Sequence, residues 1–168
     1  MSALSNTRML TRYRAWANAE LFAALAKLSE DELTKEQPIV FGSILRTLNH
    51  VYSMDLVWQA HLKGLAHGLT TRNPPLAPPF ADLRAAQVAM DEWFVRYAEE
   101  SSDRLAEEII DFVFIGGGQG SMSRDAILLH VVNHTTYHRG HIAQMMNRIP
   151  AHPPTTDLPV FLRKQSAP

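Results

Sequence analysis

The sequence predicts an all-α fold, a four-helix bundle, and three observations carry that prediction. Four segments repeat apolar residues at three- and four-residue spacing, the period of a helix that buries one face. Serine caps, glycines and a Pro-rich stretch separate these segments at helical lengths. At 168 residues the chain fits one domain, residues 1–168, large enough for a real core. Four amphipathic helices in such a chain hide their apolar faces by packing on one another.

The first segment runs from about Ser5 to Leu28, with Leu10, Tyr13, Trp16, Ala17, Leu21, Ala24, Leu25 and Leu28 at helical spacing. Acidic residues and Pro38 in the stretch Ser29 to Val40 end that helix and make a connection. The second segment begins at Gly42-Ser43, where the Ser43 hydroxyl can accept from an orphan N–H of the first turn. It passes through Ile44, Leu48, Val51, Leu56 and Trp58 to about Lys63, and Gly64 terminates it. The polar link that follows holds Pro74, Pro75, Pro78 and Pro79, which cannot continue a helix. A link of this length can cross from one end of a bundle to the other, so the third helix need not be antiparallel to the second.

The third segment, about Ala81 to Leu105, carries Leu83, Val88, Trp93, Phe94 and Tyr97. Ile109 to Ile115 is rich in β-branched and aromatic residues, and Gly116-Gly117-Gly118, Gly120 and Ser121-Met122 follow it. That pattern fits a short hairpin or an extended cover before the last helix. The glycines lack the Lys-Ser/Thr of a phosphate loop. The fourth segment starts at Ser123, an N-cap, with Asp125 placed for the helix dipole. It carries Ile127, Leu128, Val131, Ile142, Met145 and Met146 and stops before Pro150. The tail, Ala151 to Pro168, is expected to wrap the bundle through Leu158, Val160, Phe161 and Leu162.

Composition narrows the function classes. A formal net charge of −1 gives no global field for nucleic acid or an anionic membrane. Arg8, Arg12 and Arg14 form only a modest basic cluster, which solvation explains. With no cysteine, disulfides, thiolate ligands and a cysteine nucleophile are excluded together. The polar stretch Met1 to Met9 lacks the apolar core of a signal peptide, and no apolar run approaches the roughly 20 residues of a membrane span. The cytoplasm is the expected setting.

The chemistry concentrates in the run His130-Val-Val-Asn-His134-Thr-Thr-Tyr-His138-Arg-Gly-His141. On a helix, residues four apart turn by about 400°, roughly 40° net, so His134 and His138 share a face and can grip one ion. The spacing is that of the zincin motif H-E-x-x-H, but Thr135 stands where the Glu would be, so that protease class is rejected. A third ligand is needed, and the best is His50, flanked by Leu48 and Val51 in the second helix. Three histidines on a tetrahedral ion leave one position open for water, the mark of catalytic rather than structural sites. His130 lies two turns, about 12 Å, from His138 and is read as a supporting or core residue. His141 either lines the pocket or is solvated. His61 and His67 read as surface, and His152 as solvated. Asp55, about 140° around the helix from His50, is read as an ion pair or cap to another helix. Arg139 either binds an anionic substrate or pairs with Asp55 or a surface carboxylate. Trp16, Trp58 and Trp93 are read as core.

Several blocks together resemble the DinB family of metal-binding four-helix proteins. They are Tyr13-Arg14-Ala15-Trp16-Ala17-Asn18, the stretch Gly42-Ser43-Ile44 through Leu48-Asn49-His50 with Asp55 and Trp58, and Leu129-His130-Val131-Val132-Asn133-His134 through Tyr137-His138-Arg139-Gly140. Thr156-Asp157-Leu158 also fits. The resemblance covers nearly the whole chain and puts the family's three metal ligands on His50, His134 and His138. One departure is His141, where family members often carry Gln. The resemblance implies an up-down-down-up bundle with a long second connection, a homodimer, and an activity among thiol-dependent transferases or isomerases.

Two functions compete. In the first, a divalent ion, zinc before nickel or iron, sits on the three histidines and serves a hydrolase or a thiol-dependent transferase acting on a small-molecule substrate. Any thiol must come from a cosubstrate, and no acid or base can be assigned. In the second, the protein is a non-enzymatic, metal-stabilised dimer that binds a ligand or serves a stress response.

Overall fold

The computed structural model describes residues 3–166; Met1 and Ser2, part of the polar N-terminal stretch, and Ala167 and Pro168 of the tail lie outside the described residues. The described chain is mostly helical. In order, α1 spans Ala3–Leu25, α2 Glu30–Thr34, α3 Ile44–Lys63, α4 Phe80–Glu100, α5 Asp103–Ala106, α6 Arg124–Met146 and α7 Leu158–Gln165. Strands β1 (Ile109–Val113) and β2 (Gln119–Ser123) precede α6. The hairpin alternative is therefore the one realised, and the fold carries a small sheet as well as helices.

Local chemistry sets the helix starts. The Ser43 hydroxyl accepts from the Arg46 N–H at 3.3 Å and opens α3. Ser123 does the same for α6, accepting from Ala126 at 3.1 Å. Gly64 ends α3 with a left-handed φ of 67°, a conformation that costs glycine little.

Two boundaries differ from expectation. The first helix stops at Leu25, and Ser29 starts the separate α2 through a capping box with Glu32. The third stops at Glu100, and Ser102 caps α5 by accepting from Leu105 at 3.2 Å.

The four long helices pack in a cycle, α1 on α4 and α6, and α3 on α4 and α6. Near the start of α1, the Arg8 guanidinium donates to the Ala98, Glu99 and Ser101 carbonyls at the end of α4. Further along α1, Phe22 meets Phe80, with centroids 5.7 Å apart. At the far end of α3, Arg124 donates to the Leu62 carbonyl and to the Tyr97 hydroxyl, both at 2.7 Å. Gln87 on α4 donates to Asp55 on α3 at 2.8 Å.

One apolar cluster gathers Leu21, Leu25, Ile44, Leu83 and Met145. Another joins Trp58, Phe94, Phe112, Ile127 and Val131, so the hairpin completes the core beside α3 and α6. The tail folds as α7 and buries Phe161 against Tyr13 and Trp16. Tyr13 donates to the Thr156 carbonyl at 2.8 Å and ties that tail down.

Candidate metal centre

The α1 face toward the interior is not uniformly apolar. Thr7, Thr11, Arg14 and Asn18 are buried along it, three or four residues apart. Arg14, 1% exposed, is clamped between two carboxylates: it donates to Asp55 and pairs with Asp91 at 2.6 Å. Gln87 bridges both acids, and Asn18 donates to Asp91. Burial pushes the Asp55 carboxyl up to about 6 while Arg14 pulls it down. Burial raises Asp91 also. Asp55 is thus the interhelical ion pair expected of it. Its partner is Arg14, which was read as solvated, and the correction follows from the polar stripe facing inward.

This network braces the neighbouring site from below. Arg14 Nε donates to the Thr135 hydroxyl at 2.9 Å, next in sequence to His134. His50, His134 and His138 each present a ring nitrogen to the same point, all within 4.8 Å of one another. The Nε2 atoms of His50 and His134 are 3.1 Å apart. Imidazoles at zinc–nitrogen distances of about 2.0–2.1 Å on a tetrahedral ion would stand roughly 3.3 Å apart, a separation that the His50–His134 pair already has.

Three further details fit a cation. His50 Nδ1 donates to the Arg72 carbonyl at 2.7 Å, which fixes the tautomer with a lone pair on Nε2, toward His134. His138 Nδ1 is buried with no hydrogen-bond partner among the described residues. Burial, helped by the neighbouring imidazoles, pulls His134 down to about 3 and His138 to about 4, so both are neutral donors near pH 7. Burial lowers His50 as well.

The triad opens on a cavity of about 630 Å³ between α3, α6, the hairpin and the loop before α3. Phe41 from that loop stacks on His50 at 4.1 Å and lies 5.5 Å from His138. The other predicted residues fall into place around it. His130 lines the cavity without joining the triad, its ring stacked 5.8 Å from His134 and edge-on to Trp58. His141 lines it too. His61, read as surface, is half-buried there against Trp58 and Phe112, because its helix continues beneath the hairpin. His67 packs edge-on against His61 and accepts from the Leu69 N–H, so it too belongs to this margin. His152 is exposed, as read. Trp58 is buried and Trp16 and Trp93 half-buried.

Among the described residues, Arg139 pairs with neither Asp55 nor a surface carboxylate. It is buried, donates to the Tyr13 and Thr136 hydroxyls at 2.8 and 3.1 Å, and lies over the Tyr13 ring. Sequence reasoning did not single out Phe41, the Arg72 carbonyl or His61's inward position. Only the Phe-Gly pair before the Ser43 cap signals the first of these.

Helices that converge three imidazoles beside a cavity define a helical protein with a candidate metal centre. The DinB family model matches residues 1–167, and the chain belongs to the DinB family. It is similar to Protein DinB of Bacillus subtilis (strain 168), 28% identical over 159 residues, which covers 91% of each chain. Its fold is similar to the crystal structure of a DinB-like protein from Bacillus cereus ATCC 10987, with a TM-score of 0.66 and 20% identity over 86% of this chain and 91% of that one.

Proposed function

We propose that the protein is a divalent-metal-dependent enzyme with the ion held by His50, His134 and His138, zinc before nickel or iron. The observation that carries this reading is the convergence of three neutral imidazoles on the wall of a roomy cavity. A bound ion would supply Lewis acidity there. The chain's own residues do the rest: the Arg72 carbonyl orients His50, Phe41 covers it, and apolar side chains exclude water.

Of the two activities, thiol-dependent transfer is favoured over hydrolysis. Among the described residues lining the cavity there is no Asp or Glu to act as general base. A thiol that coordinates such an ion is deprotonated outright and needs no carboxylate beside it. The chain has no cysteine, so the thiol is a cosubstrate. We further infer an up-down-down-up bundle in one domain, supported by Arg8 meeting the end of α4 and Gln87 meeting Asp55, with residues 64–79 as the long crossover. A cytoplasmic homodimer is part of the same proposal. Among the described residues, no helix is long and apolar enough to cross a membrane.

Elemental analysis tests the centre. The purified protein is expected to hold about one divalent ion per chain, and His134→Ala to lose it. Stoichiometric metal that survives His134→Ala would overturn the assignment. Metal without turnover of any thiol or ester would return the protein to the role of a non-enzymatic, metal-stabilised ligand binder.

A further inference from the structure

The cavity extends well past the three histidines. On α3, His50 and His61 stand three turns apart, about 16 Å along the axis, and the residues between them bring Met54 and Trp58 to the same wall. The hairpin closes that stretch with Phe112, Phe114 and Ile115. Its middle is therefore aromatic and aliphatic. The far end is not. His61 lies there between Trp58 and Phe112, with ring centroids at 5.6 and 5.2 Å. Its Nε2 is buried and makes no hydrogen bond among the described residues. A buried polar nitrogen left unpaired is destabilising, and a hydrogen-bonding ligand atom would satisfy it. A substrate no larger than the metal centre would leave both the apolar stretch and that nitrogen unused.

We propose that the cavity takes an elongated amphiphile: a metal-binding head at His50, His134 and His138, an apolar body along Trp58 and the hairpin, and a terminal oxygen that accepts a hydrogen bond from His61. His61 is then a specificity-determining residue that selects ligands by length and by the polarity of their far end. The inference rests on the metal-centre reading, and it adds a ruler to that site. No charged side chain lies beside His61 in the wall, where Arg72 is the one formally charged lining residue among those described. The far-end group is accordingly an uncharged oxygen, such as an amide or hydroxyl.

The test uses the full-length protein loaded with cobalt(II), whose visible absorption reports binding at the ion. It is titrated with straight-chain alkyl hydroxamic acids of graded length, each ending either in methyl or in a primary carboxamide. At one chain length the carboxamide is expected to bind roughly tenfold more tightly than its methyl counterpart, the worth of one well-placed hydrogen bond. The gain should vanish in His61→Phe and persist in His61→Gln, which keeps a donor, while methyl-ended probes bind all three proteins alike. Absence of a carboxamide gain at every length in the unmodified protein overturns the proposal alone, whatever the variants do. A gain that survives His61→Phe overturns the assignment to His61. Failure to bind cobalt at all overturns the metal centre, and this inference with it.

Discussion

Arg14 is the residue on which the interior of the helix cycle turns. A guanidinium that is 1% exposed is stable only because Asp55 and Asp91 surround it, while Thr135 accepts from its Nε and Gln87 and Asn18 donate to the two carboxylates. Removing one partner of a buried ion pair strands the others in a medium that solvates charge poorly. Arg14→Met is therefore expected to cost about 3–5 kcal/mol of stability, measured by urea unfolding, because two buried carboxylates lose their counter-ion. A loss under about 1 kcal/mol, the range of a surface pair, would show that water reaches the cluster. The same residue marks a limit of reading from pattern. Beside Arg8 and Arg12, Arg14 has the composition of a solvated patch. Only the tertiary position of α1 turns the stripe Thr7, Thr11, Arg14 and Asn18 inward. The three imidazoles were legible, in contrast, because His134 and His138 declare themselves by four-residue spacing and His50 sits in an apolar helical run. The Arg72 carbonyl that orients His50 is a backbone atom in a loop, and no side-chain pattern announces it.

At the scale of elements, the hairpin is what turns an exposed helix face into a cavity wall. Its Gly116, Gly117 and Gly118 all adopt φ near +90°, which gives the tight reversal between β1 and β2. Gly120 has a different task. It pairs with Phe112 across the ladder, and a Cβ there would come within 2.5 Å of that ring. The ring in turn packs on Trp58 and His61. Gly120→Ala is thus expected to push Phe112 into its neighbours and cost about 1–3 kcal/mol, the usual range for overpacking, with a matching drop in thermal midpoint. Unchanged stability would mean the ring has free space to retreat into. The hairpin could be foreseen from β-branched residues followed by glycines, and α3 and α6 from their serine caps. The short α2 and α7 were not, for different reasons. Ser29 and Glu32 form a capping-box signature that a search for long periodic segments passes over. In α7, Pro153, Pro154 and Pro159 suggest extended chain, yet Pro159 falls in the first turn, where a helix tolerates it, and Phe161 finds a slot between Tyr13 and Trp16.

For the whole molecule, buried imidazoles make stability depend on pH in a direction that can be worked out. In the folded chain, burial holds His134 at about 3 and His138 at about 4, and it lowers His50, His61 and His130 too. Unfolded, each returns to about 6.5. As pH falls below that value the unfolded chain binds protons that the folded chain refuses, and stability is lost progressively down toward pH 4. Asp55 opposes this. Its folded carboxyl takes a proton near pH 6 and its unfolded one near 4, so between those values acidification favours the folded state, and Asp91 is shifted the same way. The histidines outnumber the acids, and the loss dominates. The metal-free protein is therefore expected to show a thermal midpoint that falls steadily from pH 7 to pH 5. A divalent ion binds only the folded arrangement of three imidazoles, so saturating zinc should raise the midpoint at pH 7 and raise it less at pH 5, where protons compete for the same nitrogens. His50→Ala should remove the zinc-dependent rise at both pH values while leaving most of the acid sensitivity, since His134 and His138 remain buried. If zinc lifts the midpoint of His50→Ala as much as that of the parent protein, the ion is stabilising the molecule from somewhere other than the three-histidine centre.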